Sequence, residues 1–201
     1  MGQNNVTPSG KIMDLPVRLF KDKQAFATWL EKNHDKSSGL WLRIAKKDSG
    51  IKSVSYMEAI DVALCYGWID GKKDRYDESS WLQRFTQRGP KSIWSKINRE
   101  KASKLIDGGH MKPPGHAAIQ RAKDNGQWVS AYDSHSTATV PDDFQDELDK
   151  NPQASEFFNT LSRGNRYAIL FRIQTAKRAE TRQKRIRDFI QRLKRREKIH
   201  P

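Results

Sequence analysis

The chain has 201 residues, a net charge of +14, 31% charged side chains and a mean hydropathy of -0.89. No apolar run approaches the ~20 residues that a membrane-spanning helix needs, and the polar N-terminus lacks the apolar stretch of a secretion signal. With a single cysteine, Cys65, no internal disulfide can form, so we expect an intracellular, cytoplasmic protein.

The first half of the chain predicts a mixture of helices and strands. Asp22 can cap a helix that buries Phe26 and Leu30, and the alternating residues from Leu40 to Lys46 predict a half-buried strand. Ser55 and Glu58 form a capping box for a second helix. That helix can end at Gly67 in the left-handed conformation, and a β-hairpin over Asp70–Tyr76 and Trp81–Thr86 follows.

Two further helices are predicted between Ser92 and Gly126. One begins at Ser92 and has Trp94, Ile97, Leu105 and Ile106 on its apolar side. The other follows Pro114–Gly115 and runs to Gly126. Beyond it, residues 133–139 are rich in Ser, Thr and His and show no periodicity, which is typical of a linker.

The last third of the chain predicts helices only. Four apolar patterns follow Pro141, and in the last one Ile186, Phe189, Ile190 and Leu193 share one face. The predicted fold class is α+β: a small antiparallel sheet packed with helices, followed by a helical C-terminal module. The predicted boundaries are a disordered tail at 1–14, an α+β domain at 15–132, a linker at 133–140 and a basic helical module at 141–201.

The most distinctive chemistry lies between Cys65 and Asn98. This stretch mixes tryptophans with arginines, serines and one aspartate, a composition that suits a ligand pocket with apolar walls. A helix starting at Ser92 would also present its N-terminus to an anion. The residues predicted to bind a small anionic ligand are Trp68, Asp70, Arg84, Arg88, Ser92, Trp94, Ser95 and Asn98. An alternative interpretation makes Ser92 an ordinary cap and the basic side chains solvated.

The basic residues are concentrated at the end of the chain. From Arg163 onward there are 14 Lys and Arg against three acidic residues. Such a segment either keeps the protein soluble or binds a protein or polyanion partner. The residues predicted to bind a polyanion are Arg172, Lys177, Arg178, Arg182, Lys184 and Arg185.

Familiar catalytic and metal-binding patterns are missing from the sequence. None of the five histidines has a partner at metal-ligand spacing, and there is no phosphate-binding, dinucleotide-binding or nucleophile-elbow motif. We therefore expect no metal and no cofactor. Cys65 lacks a neighbouring base, which favours a buried thiol over a nucleophile.

Several motifs, taken in order, resemble one family. They include Ala63-Leu64-Cys65-Tyr66-Gly67-Trp68-Ile69-Asp70-Gly71, Ser92-Ile93-Trp94-Ser95-Lys96-Ile97-Asn98 and Ala176-Lys177-Arg178-Ala179-Glu180-Thr181-Arg182. Together they resemble the YdeI/OmpD-associated, or bacteriocin-protection, family from about Leu19 to Lys194. The resemblance implies tolerance of bacteriocins or related stress and association with an outer-membrane porin. It implies no established catalytic activity.

Three functions remain open from the sequence. The first is a non-enzymatic stress-tolerance protein that binds a small anionic ligand or partner segment in the predicted pocket. The second is an enzyme in the same pocket, with Asp70 or Asp61 as base and Arg88 with the Ser92 helix end stabilising charge. The third is a nucleic-acid or polyanion-binding module that uses the basic C-terminal helices.

Overall fold

The computed structural model describes Thr7, Pro8, Gly10 and residues 13–200. This part of the chain contains four strands and eight helices, which confirms the α+β class and the helical C-terminal part. It divides into two compact units. The first runs up to Ser92 and includes Asn98–Val129, and the second comprises Ile93–Ile97 and the residues from Ser130 onward.

The first unit is built on one sheet. Its strands are β1 (Val17–Leu19), β2 (Leu40–Ala45), β3 (Trp68–Arg75) and β4 (Ser80–Gln87), in the spatial order β1-β2-β4-β3. The predicted hairpin is β3 and β4, and the pairing of β2 with β4 is also antiparallel. The short β1 is not predicted from the sequence, and because it pairs with β2 in parallel the sheet is mixed.

Four helices belong wholly or mostly to the first unit. They are α1 (Lys23–Asn33), α2 (Tyr56–Cys65), α3 (Lys96–Asp107) and α4 (Pro113–Asp124). The predicted caps are confirmed: the Asp22 carboxylate accepts from the Ala25 N–H at 2.8 Å, and Ser55 and Glu58 form the capping box. Helix α3 corrects the prediction, because it begins at Lys96 and not at Ser92.

The reason for the later start of α3 is visible in the backbone. Ser95 forms a parallel β-bridge with Tyr132, whose N–H donates to the carbonyl oxygen of Trp94 at 2.9 Å. The Lys96 N–H donates to the Tyr132 carbonyl oxygen at 2.8 Å. An extended backbone at Trp94 and Ser95 is incompatible with a helix there. The prediction that Ile97 lies on an apolar inner face is also wrong, since Ile97 is 42% exposed.

The two faces of the sheet are both covered, which corrects the prediction of a half-buried β2. One face carries Leu40, Leu42 and Phe85 and packs against α1, where the rings of Phe26 and Phe85 lie 5.7 Å apart. On the other face, Trp41 is buried with Met13, Leu15 and Leu82. The chain before β1 therefore closes the side that the alternating pattern left to solvent.

The disordered tail predicted at 1–14 lies mostly outside the described residues. Of those that are described, Met13 is 5% exposed, and the Asp14 carboxylate accepts from the indole N–H of Trp41 at 2.8 Å. These two residues are packed on the sheet. The domain boundaries predicted from the sequence stay predictions.

The second unit is helical, as predicted. Its helices are α5 (Asp142–Asp149), α6 (Pro152–Thr160), α7 (Arg163–Gln174) and α8 (Ala179–Lys194). All four predicted inner residues of α8 are at most 6% exposed. They pack with Phe144, Phe158 and Ile173, so the apolar face of α8 docks on the preceding helices.

The side chain of Asn165, in α7, forms hydrogen bonds with residues 199–200. Its side-chain oxygen accepts from the N–H groups of Ile199 and His200 at 3.0 and 2.9 Å. Its side-chain nitrogen lies 3.3 Å from both the Ser162 hydroxyl and the His200 carbonyl oxygen. The amide is 6% exposed. A buried amide with donor and acceptor atoms both engaged holds these two segments in one arrangement.

An ion pair between α5 and α8 gives the second unit a pH-dependent contribution to stability. Arg182 makes two hydrogen bonds to the Asp143 carboxylate, at 2.6 and 2.7 Å. These bonds, more than the opposing burial, hold the pKa of Asp143 below its ordinary value. The stabilisation is therefore complete above the ordinary carboxyl pKa of about 3.9 and is lost as the pH falls through the lowered value.

Replacing Asp143 with Asn tests this contribution. Because the Asp143 side chain is 46% exposed, solvent screens the pair and we expect a loss of about 1 kcal/mol or less at pH 7. The difference from wild type should shrink as the pH falls from the ordinary carboxyl pKa through the lowered pKa of Asp143, and should vanish once that carboxylate is protonated. Urea unfolding at several pH values measures it, with Asp142→Asn as the matched control. A pH-independent difference would contradict the ion-pair explanation.

Candidate ligand-binding site

The predicted pocket residues of the first unit do not lie on one side of the sheet. Paired residues of antiparallel strands point to the same face, and Asp70 pairs with Phe85, on the face covered by α1. Arg84 pairs with Trp41 and points to the opposite face, where a guanidinium nitrogen lies 3.2 Å from the Asp14 carboxylate. Asp70 and Arg84 therefore lie on opposite faces of the sheet.

Trp68 is a core residue in this structure. It is 0% exposed, its indole N–H donates to the His34 carbonyl oxygen at 3.1 Å, and its ring meets that of Trp29 edge-on at 5.8 Å. A side chain with no exposed surface and a satisfied donor has nothing to offer a ligand unless the core opens. The tryptophan that the sequence placed in a pocket wall instead fixes α1 to the sheet.

Arg88, Ser92 and Asn98 lie at three different kinds of position. Arg88 is 5% exposed, and its backbone N–H donates to the Gly67 carbonyl oxygen at 2.9 Å. Ser92 follows a turn, which its N–H closes by donating to the carbonyl oxygen of Gly89 at 3.0 Å, and Asn98 is the third residue of α3. The helix N-terminus that was expected to hold an anion at Ser92 is absent, because α3 begins four residues later.

Trp94 and Ser95 belong to the second unit. Trp94 is 2% exposed, and Ser95 forms the bridge to Tyr132 described above. The backbone of both residues is joined to Tyr132, by the hydrogen bond to the Trp94 carbonyl oxygen and by the bridge at Ser95. Both residues have a structural role there, and the ligand-binding role given to them stays a prediction.

The two carboxylates considered as catalytic bases are both engaged. The Asp61 carboxylate lies 2.5 Å from the ammonium group of Lys101, and Asp70 accepts from the Tyr56 hydroxyl at 2.7 Å. Burial, followed by the nearby charge of Asp61, raises the pKa of the Cys65 thiol to about 11. At neutral pH this cysteine is a protonated, buried thiol, which agrees with its interpretation as a core residue.

Half of the predicted polyanion-binding residues are engaged inside the second unit. Arg182 binds Asp143, and guanidinium nitrogens of Arg172 and Arg185 donate to the carbonyl oxygens of Ala168 and Arg172 respectively. Lys177, Arg178 and Lys184 are exposed. Binding of a polyanion by this set stays a prediction that rests on the last three residues.

The second unit contains a cavity that the sequence did not predict. It has a volume of about 360 Å³ and lies among residues 135–140, α5, α6 and the first two-thirds of α7; we call it the α7 cavity. Its apolar lining consists of Ala138, Val140, Leu148, Phe158 and Leu170. Its polar lining consists of His135, Ser136, Gln145, Ser155, Asn159, Arg163, Arg166 and Tyr167.

Helix α7 supplies the charged side of the α7 cavity. Arg163, Arg166, Tyr167 and Leu170 are spaced i, i+3, i+4 and i+7, so they share one face of the helix. One Arg163 guanidinium nitrogen donates to the Ser136 carbonyl oxygen at 3.0 Å, which leaves further donors on that fork. Arg166 is exposed. No carboxylate is found among the lining residues that the structure describes.

The aromatic wall of the α7 cavity is held from behind. The Tyr167 hydroxyl donates to the Asp133 carbonyl oxygen at 3.1 Å, and the ring of His135 meets the Tyr167 ring at 5.1 Å. Burial, then the nearby Tyr132 and Asp133, raises the pKa of Tyr167, so the phenol stays neutral. The Tyr167 ring is thereby fixed in place as an uncharged surface.

Asp133, whose carbonyl oxygen accepts from the Tyr167 hydroxyl, has a carboxylate that is already bound by other groups. Its oxygens lie 2.7 Å from the Lys96 ammonium group and 2.6 Å from the Gln174 amide nitrogen. Burial opposes ionisation of Asp133, but these two hydrogen bonds outweigh it and hold its pKa below the ordinary value. The positive charge of Arg163 and Arg166 is thus available to an anion in the cavity.

Two protein-family models match the chain, one in each part of the sequence. Residues 137–196 match the model described as Bacteriocin-protection, YdeI or OmpD-Associated. This match covers under a third of the chain, so the bacteriocin-protection (YdeI/OmpD-associated) family is shown for the C-terminal segment. Residues 18–118, about half of the chain, match a different model, described as a domain of unknown function, DUF8412. The predicted resemblance is thus confirmed for the C-terminal part, and the N-terminal part carries that second domain.

The other comparisons add no relatives. Neither the curated proteins nor the solved structures gave a match. The family match covers α5 to α8, and with them all the lining residues of the α7 cavity except His135 and Ser136. In the described residues, no helix has the length and apolar character needed to cross a bilayer.

Sequence reasoning could have found the α7 cavity from two signals. One is the i, i+3, i+4 spacing of Arg163, Arg166 and Tyr167, which charge counting merges into a basic tail. The other is the Ser, Thr and His content of residues 133–139, which is typical of a linker but here supplies one wall. The two signals are about thirty residues apart, and only the packing of the helices joins them.

Proposed function

We propose that this family member gives tolerance to bacteriocins or similar stress by binding a small anionic ligand in the α7 cavity. The observation that carries the proposal is that Arg163 and Arg166 both line this cavity from one face of α7. The described lining holds no carboxylate. A volume of about 360 Å³ lies within the usual range of small-molecule sites, roughly 300–1,000 Å³.

The position of the cavity supports the same proposal. It is lined almost wholly by the segment that matches the bacteriocin-protection model, so ligand binding and family membership concern the same helices. The pocket predicted at residues 65–98 offers less, because its tryptophan at 68 is buried and its charged side chains lie on different faces. The proposed site therefore moves from the first unit to the second, while the proposed ligand class is unchanged.

An intracellular site of action is part of the proposal. Its support is the free thiol of Cys65, which is the only cysteine of the chain and needs no oxidising compartment. A cytoplasmic protein of this kind would act on a metabolite or on a partner at the inner side of the cell envelope.

The binding test compares two double variants of the full chain. Sulfate, acetate and octanoate are titrated calorimetrically against wild type, Arg163→Gln/Arg166→Gln and, as matched control, Lys177→Gln/Lys184→Gln. Both variants remove two positive charges from the second unit, but only the first removes them from the cavity. We expect the first to weaken binding at least tenfold, since a charge-assisted hydrogen bond contributes about 1.5–3 kcal/mol.

Two results would contradict the proposal. Binding of none of the three anions would remove the site, and equal losses in both double variants would show that overall charge, not the cavity, attracts the anion. The link to tolerance has its own measurement: survival of a bacteriocin challenge in a strain that lacks the protein. Wild type and the Lys177/Lys184 variant should restore survival, and the Arg163/Arg166 variant should not.

A further inference from the structure

The α7 cavity combines a charged side with an apolar floor. Arg163 and Arg166 come from the first turns of α7, whereas Val140, Leu148, Phe158 and Leu170 supply apolar lining, which we call the floor. Leu148, Phe158 and Leu170 are at most 6% exposed and belong to the apolar core of the second unit. The floor of the cavity is thus formed by the edge of that core.

An inorganic anion would use only half of such a site. Sulfate or phosphate can accept from the two guanidinium groups, but it leaves the apolar floor in contact with water. A ligand that also covers the floor gains the free energy of removing that surface from water. The neutral ring of Tyr167 extends the apolar wall toward the charged side, so both parts of one molecule can be bound at once.

The cavity volume sets the size of the occupant. At about 30 Å³ for each water molecule in the liquid, about 360 Å³ corresponds to roughly a dozen non-hydrogen atoms. That is the size of a medium-chain alkyl carboxylate or a small aryl carboxylate. A long acyl chain could place only part of its length inside.

We infer that the α7 cavity binds an amphiphilic monoanion, with a carboxylate or similar group on Arg163 and Arg166 and a short alkyl or aryl part on the floor. This inference rests on the proposed function and specifies its ligand class. The same chemistry is present in a free medium-chain acid and in the headgroup region of an anionic lipid. The size of the cavity favours the free acid.

A chain-length series tests the inference. Butyrate, hexanoate, octanoate and decanoate are titrated calorimetrically against the full chain, with sulfate as an anion lacking an apolar part and 1-octanol as an uncharged analogue. We expect affinity to rise by up to about fourfold per methylene group, which is the effect of fully burying one, and to level off near ten carbons. Sulfate and 1-octanol should each bind at least tenfold more weakly than octanoate.

A single substitution in the floor gives an independent measurement. Val140→Thr keeps the shape of the half-buried side chain and replaces a methyl group with a hydroxyl, so the fold should be retained. It should weaken octanoate about threefold or more and leave sulfate unchanged, whereas Arg163→Gln should weaken both. Circular dichroism checks that each variant is folded.

The outcomes separate this inference from the function on which it rests. Equal affinities for sulfate and all four carboxylates would overturn the inference and leave anion binding in place. Equal affinities for octanol and octanoate would overturn it by removing the need for charge. Binding of no anion at all would overturn the proposed function itself.

The lipid source is examined with vesicles. Vesicles of phosphatidylglycerol and of phosphatidylcholine are sedimented with wild type and with Arg163→Gln/Arg166→Gln. A lipid headgroup would be the source of this chemistry if wild type sedimented with phosphatidylglycerol and not with phosphatidylcholine. That sedimentation should then be lost in the arginine variant and reduced by added octanoate. No sedimentation, together with the chain-length effect, supports the free acid.

Discussion

Replacing Trp68 with Ala should destabilise the first unit by about 3–5 kcal/mol, the usual cost of emptying a fully buried aromatic site. The side chain is 0% exposed and packs edge-on against Trp29, and its indole N–H is bonded to the His34 carbonyl oxygen. The substitution leaves a cavity under α1 and an unsatisfied carbonyl group. Urea unfolding followed by far-ultraviolet circular dichroism measures the loss.

Two further variants serve as controls for the stability loss of Trp68→Ala. Trp68→Phe keeps a six-membered aromatic ring but removes the N–H donor and the fused five-membered ring, so it should cost about 1–3 kcal/mol, less than Trp68→Ala. Val129→Ala alters a side chain that is 81% exposed and should change stability by no more than about 0.5 kcal/mol. If Trp68→Ala lowered stability by less than about 1 kcal/mol, well under the usual cost of emptying such a site, Trp68 would not be the core residue described above. A role in a ligand pocket would then regain support.

The elements that the sequence predicted correctly are those with local causes. The capping residues Asp22 and Ser55 make their bonds within one helical turn, and the apolar face of α8 repeats within a single helix. Patterns of this kind do not depend on distant parts of the chain. The Ser92 helix failed for the opposite reason, because Tyr132, thirty-seven positions later, holds Ser95 in an extended bridge.

The candidate site could not be found from composition for a related reason. A mixture of tryptophan, arginine and serine is as typical of a buried core with satisfied polar groups as of a pocket. Trp68 and Arg88 are both buried. In addition, composition does not show which face of an irregular strand a residue occupies. The register of β3 shifts between Asp70 and Lys73, and this shift lies within the stretch that looks like one motif in the sequence.

The basic tail shows why net charge alone predicts a partner poorly. The net charge summed from the sequence treats every arginine as a free positive charge. In the structure, however, Arg182 binds Asp143, and Arg195 binds Glu197 at 2.7 Å. Other guanidinium groups bind backbone carbonyl oxygens in the same unit. What remains for a ligand depends on which arginines line a cavity, and charge density does not single out Arg163 and Arg166.

Replacing Gly67 with Ala should lower stability by about 2–4 kcal/mol, from two causes that add. The first is its φ of +69°, a left-handed conformation that costs a residue with a Cβ about 1–2 kcal/mol. The second is steric, because a Cβ would lie 2.6 Å from the carbonyl oxygen of Pro114. That oxygen belongs to the backbone of α4, so relief requires the helix itself to move away from α2.

Two other glycines of the first unit separate these causes. Gly50 also has a φ of +69°, but no atom outside its chain neighbours lies within 4 Å of the position that a Cβ would take, so Gly50→Ala should show the conformational cost alone. Gly71, in β3, has its nearest neighbours at 3.9 Å, an ordinary contact distance, and Gly71→Ala should be close to neutral. The order of losses expected from urea unfolding is Gly67, then Gly50, then Gly71.

The difference between the first two variants measures how closely α4 must approach the end of α2. Equal losses for Gly67→Ala and Gly50→Ala would mean that α4 yields freely, and that the sharp turn alone requires a glycine. A larger loss at Gly67 would mean that this glycine has two functions: it ends α2, and it admits the Pro114 carbonyl group beside the start of β3. The sequence indicated the first function through the position of Gly67 after a helix, but the second depends on a residue forty-seven positions away.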